Sequence, residues 1–223
     1  MMIKKLLVAM LLMPLMLFGG DVVDDDKPIR VYVDMIADLF HGGHKNFFRQ
    51  AIDCTKEEFP GHSIELIVGL SSDEDAAPYK RLPIMTLDER VAAVKTSSLV
   101  SEVVPSCPMR GIPLWFIEKH SIDLVVHGDD YSEENTEKYY GDVRHMGIFR
   151  MVPYTPGVST TTIIENVKEH VLHGAPLDED LIDMVTFTEM FSREMLIKRI
   201  AKSVTSDQLS VISASIADRS IDQ

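Results

Sequence analysis

Cysteine is nearly missing from this 223-residue chain: Cys54 and Cys107 are the only two, and no CxxC spacing links them. That excludes a zinc knuckle or a disulfide framework, both of which need clustered thiols, and leaves two buried free thiols as the expected state. Positive charge is scarce as well. The 22 Lys and Arg stand against 35 Asp and Glu, a formal net charge of -13. Nucleic acid and anionic membrane surfaces are polyanions, so this balance argues against both as partners. Internal repeats and low-complexity linkers are also lacking. With a hydrophobic share of 45%, the chain can bury one ordinary core with appendages.

The first residues pose a separate question. Lys4 and Lys5 precede the apolar run Leu6 to Phe18, which Gly19, Gly20 and the acidic segment Asp21 to Asp26 follow. A membrane-spanning helix needs roughly 20 apolar residues, and this run is shorter. A basic start, an apolar run and small residues after it fit a secretory signal. Three readings of residues 1–20 stand side by side: a signal, a membrane anchor, or a start codon placed upstream of Met10, Met13 or Met16. Any membrane association would go through this segment alone.

What the chain does have is a regular alternation of strand and helix patterns. The β-branched run Ile29 to Val33 reads as a strand buried on both faces, and Ile64 to Val68, Val103-Val104, Leu124 to Val126 and Ile148 to Val152 read as further strands. Helical patterns fall between them. One follows His44, with Phe47, Phe48, Ala51 and Ile52 on one side. Another starts at the capping box of Thr86 and Glu89, a third runs from Pro113 to His120 with Leu114, Phe116 and Ile117 to bury, and a fourth begins near Ser159. A polar loop is expected from Val68 to Lys80. The alternation predicts an α/β, Rossmann-like fold with a parallel sheet over residues 28–172. Residues 173–223 are expected to form a short helical C-terminal tail, packed on the domain or on a second subunit.

The chain's organising stretch is Arg30 to His44, RVYVDMIADLFHGGH. A buried strand ends there in a tight turn that opens a helix, which is an anion site, because unpaired helix N–H groups and the helix dipole favour negative charge. His41 and His44 can aim two donors at that spot, and Gly42 and Gly43 let the backbone approach a phosphate.

These residues resemble the HxGH signature of the cytidylyltransferases that make CDP-alcohols, the choline-phosphate and ethanolamine-phosphate enzymes. The similarity continues, in order, through Ser71 to Glu74, Lys80, Met85 to Arg90, Ser101 to Pro105, His127-Gly128-Asp129-Asp130, the segment Tyr140 to Phe149, and Gly157-Val158-Ser159-Thr160-Thr161. It covers about Ile29 to Val171.

The resemblance implies transfer of CMP from CTP to a small phosphorylated alcohol, with pyrophosphate leaving. Phosphoethanolamine is the favoured acceptor and phosphocholine the second, with an adenylyltransferase or an inactive nucleotide-binding relative as alternatives. It assigns His41, His44 and Lys80 to catalysis. Asp38, Gly43, His127, Asp129, Gly157, Ser159, Thr160, Thr161 and Arg90 go to nucleotide binding, although Arg90 also suits an ion pair. Lys80 with Arg81 reads, by itself, as a solvated basic pair. Mg²⁺ is expected to arrive with CTP, held by phosphate oxygens more than by protein ligands, and a homodimer is the expected assembly. The need for CTP favours the cytoplasm over the export that the first residues suggest.

Three departures from the family pattern stand out. Met35 and Ala37 replace a glycine and a phenylalanine. Met109 stands where the choline enzymes place an aromatic against the head group, with Trp115 and Tyr131 as alternative aromatics. Tyr154 replaces a phosphate-binding arginine, and neither Arg144 nor Arg150 is expected to substitute for it fully.

Overall fold

The computed structural model describes residues 27–79, the last by its backbone alone, and 81–204. The signal-like run, Lys80 and the end of the tail lie outside the described residues. Strand β1 (Ile29–Met35) is followed by α1 (Gly42–Glu58), β2 (Ile64–Leu70), α2 (Asp73–Tyr79), α3 (Leu87–Lys95) and β3 (Glu102–Pro105). Then come α4 (Leu114–His120), β4 (Leu124–Gly128), α5 (Glu133–His145), β5 (Phe149–Val152), α6 (Thr160–His173) and α7 (Glu179–Asp183). A further helix, α8, runs over residues 193–204.

All five strands are parallel, in the order β3-β2-β1-β4-β5. The chain winds outward from β1 to β3, returns to the other side of β1 with β4, and winds outward again. The reversal leaves a crevice at the carboxyl ends of β1 and β4, the place where open α/β sheets bind ligands. Side chains alternate across the sheet, so each strand feeds two cores. Val31, Val33, Leu66, Val68, Leu124 and Val126 face one, under α1, α3, α6 and the tail. Tyr32, Ile67 and Val125 face the other, under α4 and α5. That explains why the strands read as unbroken apolar runs. Gly69 lies where β2 passes Tyr32: a Cβ there would fall 2.1 Å from the Tyr32 hydroxyl oxygen.

Several expectations are corrected. The polar stretch after β2 is not all loop. Ser72 accepts the Asp75 N–H (3.0 Å), and the acids Asp73, Glu74 and Asp75 fill the first turn of α2, where the dipole favours them. Leu114 is 58% exposed and only Phe116 and Ile117 are buried from α4, because the helix has two turns and its first residue falls off the apolar stripe. In the tail, Met184 is 44% exposed.

The tail packs on the domain itself. Leu181, Ile182, Val185, Phe191, Leu196, Ile200 and Val204 join the same core as β1 and α1. The Thr186 N–H donates to the Phe40 carbonyl (2.7 Å), and Val185 bridges His41 in an antiparallel pair. Arg199 donates to both carboxylate oxygens of buried Glu89 (2.6 and 2.7 Å) and to the Ile84 carbonyl (2.7 Å). The tail thereby grips both the turn before α1 and the start of α3.

Candidate active site

An open cavity of about 270 Å³ lies at the carboxyl ends of β1 and β4. One wall is the start of α1. His41 is its N-cap, and the ring Nδ1 accepts the Gly43 N–H (3.1 Å). His44 Nδ1 accepts the His41 N–H (3.2 Å), completing a capping box made of two imidazoles. The ring centroids are 3.9 Å apart. A nitrogen that accepts an N–H carries no proton, so this bonding assigns both neutral rings the tautomer with the proton on Nε2. His41 and His44, which both line the cavity, are therefore donors through Nε2. Burial pulls the His41 pKa down to about 4, which keeps its ring neutral near pH 7. Gly43 is required by this arrangement, since a Cβ would lie 2.9 Å from the His41 ring and 3.2 Å from Val158.

The turn from β1 to α1 is strained and tightly held. Ala37 (φ 57°) and Leu39 (φ 51°) are left-handed, a conformation costing roughly 1–3 kcal/mol each outside glycine. Between them, buried Asp38 accepts the Ile84 and Met85 N–H groups (3.0 Å each). Its carbonyl accepts the Thr160 hydroxyl (2.8 Å), and the tail holds the next carbonyl but one, that of Phe40. Burial raises the Asp38 carboxyl pKa, opposed by those two N–H bonds and by Arg81.

Opposite α1 stands the start of α6. Ser159 is its N-cap and accepts the Thr162 N–H (3.0 Å), and Ser159, Thr160 and Thr161 line the cavity. Gly157 makes the turn before it (φ 94°). Asn46 of α1 donates to the Thr155 hydroxyl (2.8 Å), and Asp129 accepts the Tyr154 N–H (2.8 Å), so this loop is tied from two sides.

The cavity thus unites His41, Gly43, His44, Asp38, His127, Ser159, Thr160 and Thr161. Three other candidates lie apart from its lining. Asp129 orients the loop at Tyr154, and Gly157 shapes the turn. Arg90 is fully buried: it donates to the Ile36 and Ser71 carbonyls (2.6 and 2.9 Å) and to Asp73 (2.5 Å), bracing the ends of β1 and β2. Of the two alternatives in the sequence, Arg90 takes the ion pair. Arg144 binds Glu133 and Glu137 (2.7 and 3.2 Å), and Arg150 binds Glu58 (2.5 Å).

Sequence reasoning missed a second group of cavity residues. Asp34, at the end of β1, accepts the Tyr140 hydroxyl on its two oxygens (2.9 and 3.1 Å). Burial raises the Asp34 pKa, and His127 and the Tyr140 bond pull it back. Tyr131 and Tyr140 pack at a tilt around His127, with centroids 4.5 and 4.8 Å away. A carboxylate closing an apolar strand at the switch point was the available signal for Asp34. Tyr131 and Met109 line the cavity, whereas Trp115 is 57% exposed on α4 and lies outside the lining.

Comparison with known proteins adds the family. Residues 36–166 match the model of the family described as Cytidylyltransferase-like. The chain is 38% identical over 143 residues to choline-phosphate cytidylyltransferase A of Rattus norvegicus, covering 64% of this chain and 37% of that one. It is 36% identical over 152 residues to choline-phosphate cytidylyltransferase 2 of Arabidopsis thaliana (67% and 48%). Over 141 residues it is 36% identical to the ethanolamine-phosphate cytidylyltransferase of Saccharomyces cerevisiae (63% and 42%). The chain thus spans less than half the length of these relatives. A doubly wound sheet, two mutually capping histidines at its switch point and a family match over more than half of the residues lead to one conclusion: the chain belongs to the cytidylyltransferase-like family.

Proposed function

We propose that the protein transfers CMP from CTP to a small phosphorylated amino alcohol, phosphoethanolamine first and phosphocholine second. A phosphomonoester oxygen attacks the α-phosphorus in line, the new P–O bond forms as the bond to the β-phosphate breaks, and pyrophosphate leaves. Such a transfer needs positioning and neutralisation of charge more than covalent help. The observation that carries the reading is the histidine pair. Two neutral rings, each with Nδ1 occupied and Nε2 protonated, line the cavity at a helix N-terminus. They form a preset pair of donors for oxygens whose charge grows in the transition state. The start of α6 offers N–H and hydroxyl donors to the outer phosphates, and Lys80 belongs to the same proposal as a bridging charge.

Asp34 supports the acceptor. A primary ammonium has three donors to give, and a carboxylate has lone pairs to spare beyond one tyrosine bond. Phosphocholine comes second because Met109 offers a quaternary ammonium no aromatic face at the matching place, although Tyr131 also lines the cavity. Mg²⁺ also fits this chemistry. The ion would arrive on the triphosphate and help neutralise its charge. A homodimer is part of the same proposal, read by sedimentation.

The test is to incubate the protein with each of the four nucleoside triphosphates, Mg²⁺ and a panel of phosphoalcohols, and to measure pyrophosphate. Release with CTP and phosphoethanolamine above all other pairs is the expected result. Release with ATP instead would establish an adenylyltransferase, and none with any pair would sink the enzymatic reading.

A further inference from the structure

A triphosphate carries about four negative charges, and a chain with a formal net charge of -13 repels it at long range. Cations at the site itself must therefore do the holding. Among the described residues that line the cavity, Arg81 is the single Lys or Arg, against the carboxylates Asp34, Asp38 and Asp130 that share the lining. The other arginines close by in sequence to family motifs are engaged elsewhere, Arg90 in the core and Arg144 and Arg150 with glutamates.

Arg81 is partly exposed and incompletely paired. Its side chain is about one-third exposed, and its nearest charge, Asp38, is 3.8 Å from Nη2, beyond hydrogen-bond distance. Asp38 also accepts two backbone N–H groups, which share its charge with Arg81. The Arg81 Nε is buried with no acceptor among the described residues. A buried charged donor without an acceptor is costly and calls for an explanation. Its position supplies one. Arg81 lines the same cavity as Ser159, Thr160 and Thr161 at the start of α6, whose N–H groups and dipole favour anions.

We propose that Arg81 binds the outer phosphates of the nucleotide, supplying the cation lost where Tyr154 replaces the family's arginine. The guanidinium fork presents Nε and Nη donors in the plane that a phosphate accepts bidentately. An incoming phosphate oxygen would satisfy the buried Nε and share the guanidinium with Asp38. The departing pyrophosphate would keep the same contact. Tyr154 lines the cavity 52% exposed, so an arginine at either position could serve the same ligand. This inference rests on the proposed nucleotide reaction, yet it can be tested apart from it.

The experiment compares wild type, Arg81→Gln, Arg81→Lys and the double variant Arg81→Gln/Tyr154→Arg. Pyrophosphate release gives KM for CTP and for phosphoethanolamine, and calorimetric titration with inorganic tripolyphosphate reads phosphate binding without any turnover. Arg81→Gln should raise both the CTP KM and the tripolyphosphate Kd by roughly 10–100-fold, the range for a lost charged hydrogen bond, with the phosphoethanolamine KM within about twofold. Arg81→Lys should recover part of the loss, and adding Tyr154→Arg to Arg81→Gln should recover most of it. Unchanged tripolyphosphate binding in Arg81→Gln, or a rise confined to the acceptor KM, would overturn the proposal, as would failure of Tyr154→Arg to restore any affinity. Should Arg81→Gln fold poorly by thermal melt, Arg81→Lys decides alone: a CTP KM equal to wild type with an altered acceptor KM overturns the idea. If wild type releases no pyrophosphate from any nucleotide, the reaction is wrong, and the tripolyphosphate titration still decides Arg81.

Discussion

Lowering the pH should unfold this protein partly through one ring, His41. Burial takes its pKa from an ordinary 6.5 to about 4, while in the unfolded chain it returns to about 6.5. Between those values the unfolded state holds a proton that the native state does not, so stability falls as pH drops. The contribution is complete above about pH 6.5 and is lost progressively down to about pH 4. A shift of that size corresponds to about 3 kcal/mol in full, of which about 2 kcal/mol is already gone at pH 5. Protonation also removes the lone pair on Nδ1 that caps the Gly43 N–H, so the loss is specific to this helix start. The control is His41→Asn, which keeps a good N-cap acceptor and does not titrate. Urea denaturation of both proteins at pH 7 and pH 5 should show the wild type losing about 2 kcal/mol more than the variant. Equal losses in the two proteins would mean that the His41 ring is not buried neutral, and the tautomer assignment would fall with it.

Two further outcomes follow from the site and the tail. Asp34→Asn keeps an acceptor for the Tyr140 hydroxyl but removes the charge, so the KM for phosphoethanolamine should rise roughly 10–100-fold while the KM for CTP stays near wild type; a change confined to CTP would place Asp34 on the wrong substrate. Arg199→Gln leaves the buried Glu89 carboxylate without its bidentate partner, which should cost roughly 1–3 kcal/mol by urea denaturation. A melt unchanged from wild type would mean that the tail does not secure α3.

The sheet was legible because its strands are buried on both faces, and Val31-Tyr32-Val33 or Leu124-Val125-Val126 can be little else. Helix starts were legible where a side chain caps them, as Thr86 with Glu89 does (2.8 Å from Thr86 N–H to Glu89). The start of α2 carried the same kind of signal in Ser72 and Asp75, but its acids and Pro78 read as loop. Local patterns also located the histidine pair and the α6 start. What they could not supply is partnership across the fold. Arg90 looks identical in sequence whether it faces a phosphate or the Ile36 carbonyl. Arg81 reads as a solvated neighbour of Lys80 until Asp38, distant in sequence, is brought beside it. The bond from Thr186 to Phe40 joins residues that no local pattern connects.

The central claim is that His44, held by its bond to the His41 N–H, donates to the phosphoryl group in transfer. Pyrophosphate release from CTP and phosphoethanolamine by wild type and His44→Ala, at saturating substrates and with folding checked by thermal melt, tests it most directly. The account expects kcat to fall by roughly 10²–10³, the scale for removing one such donor. A folded His44→Ala protein turning over at near wild-type rate would contradict it.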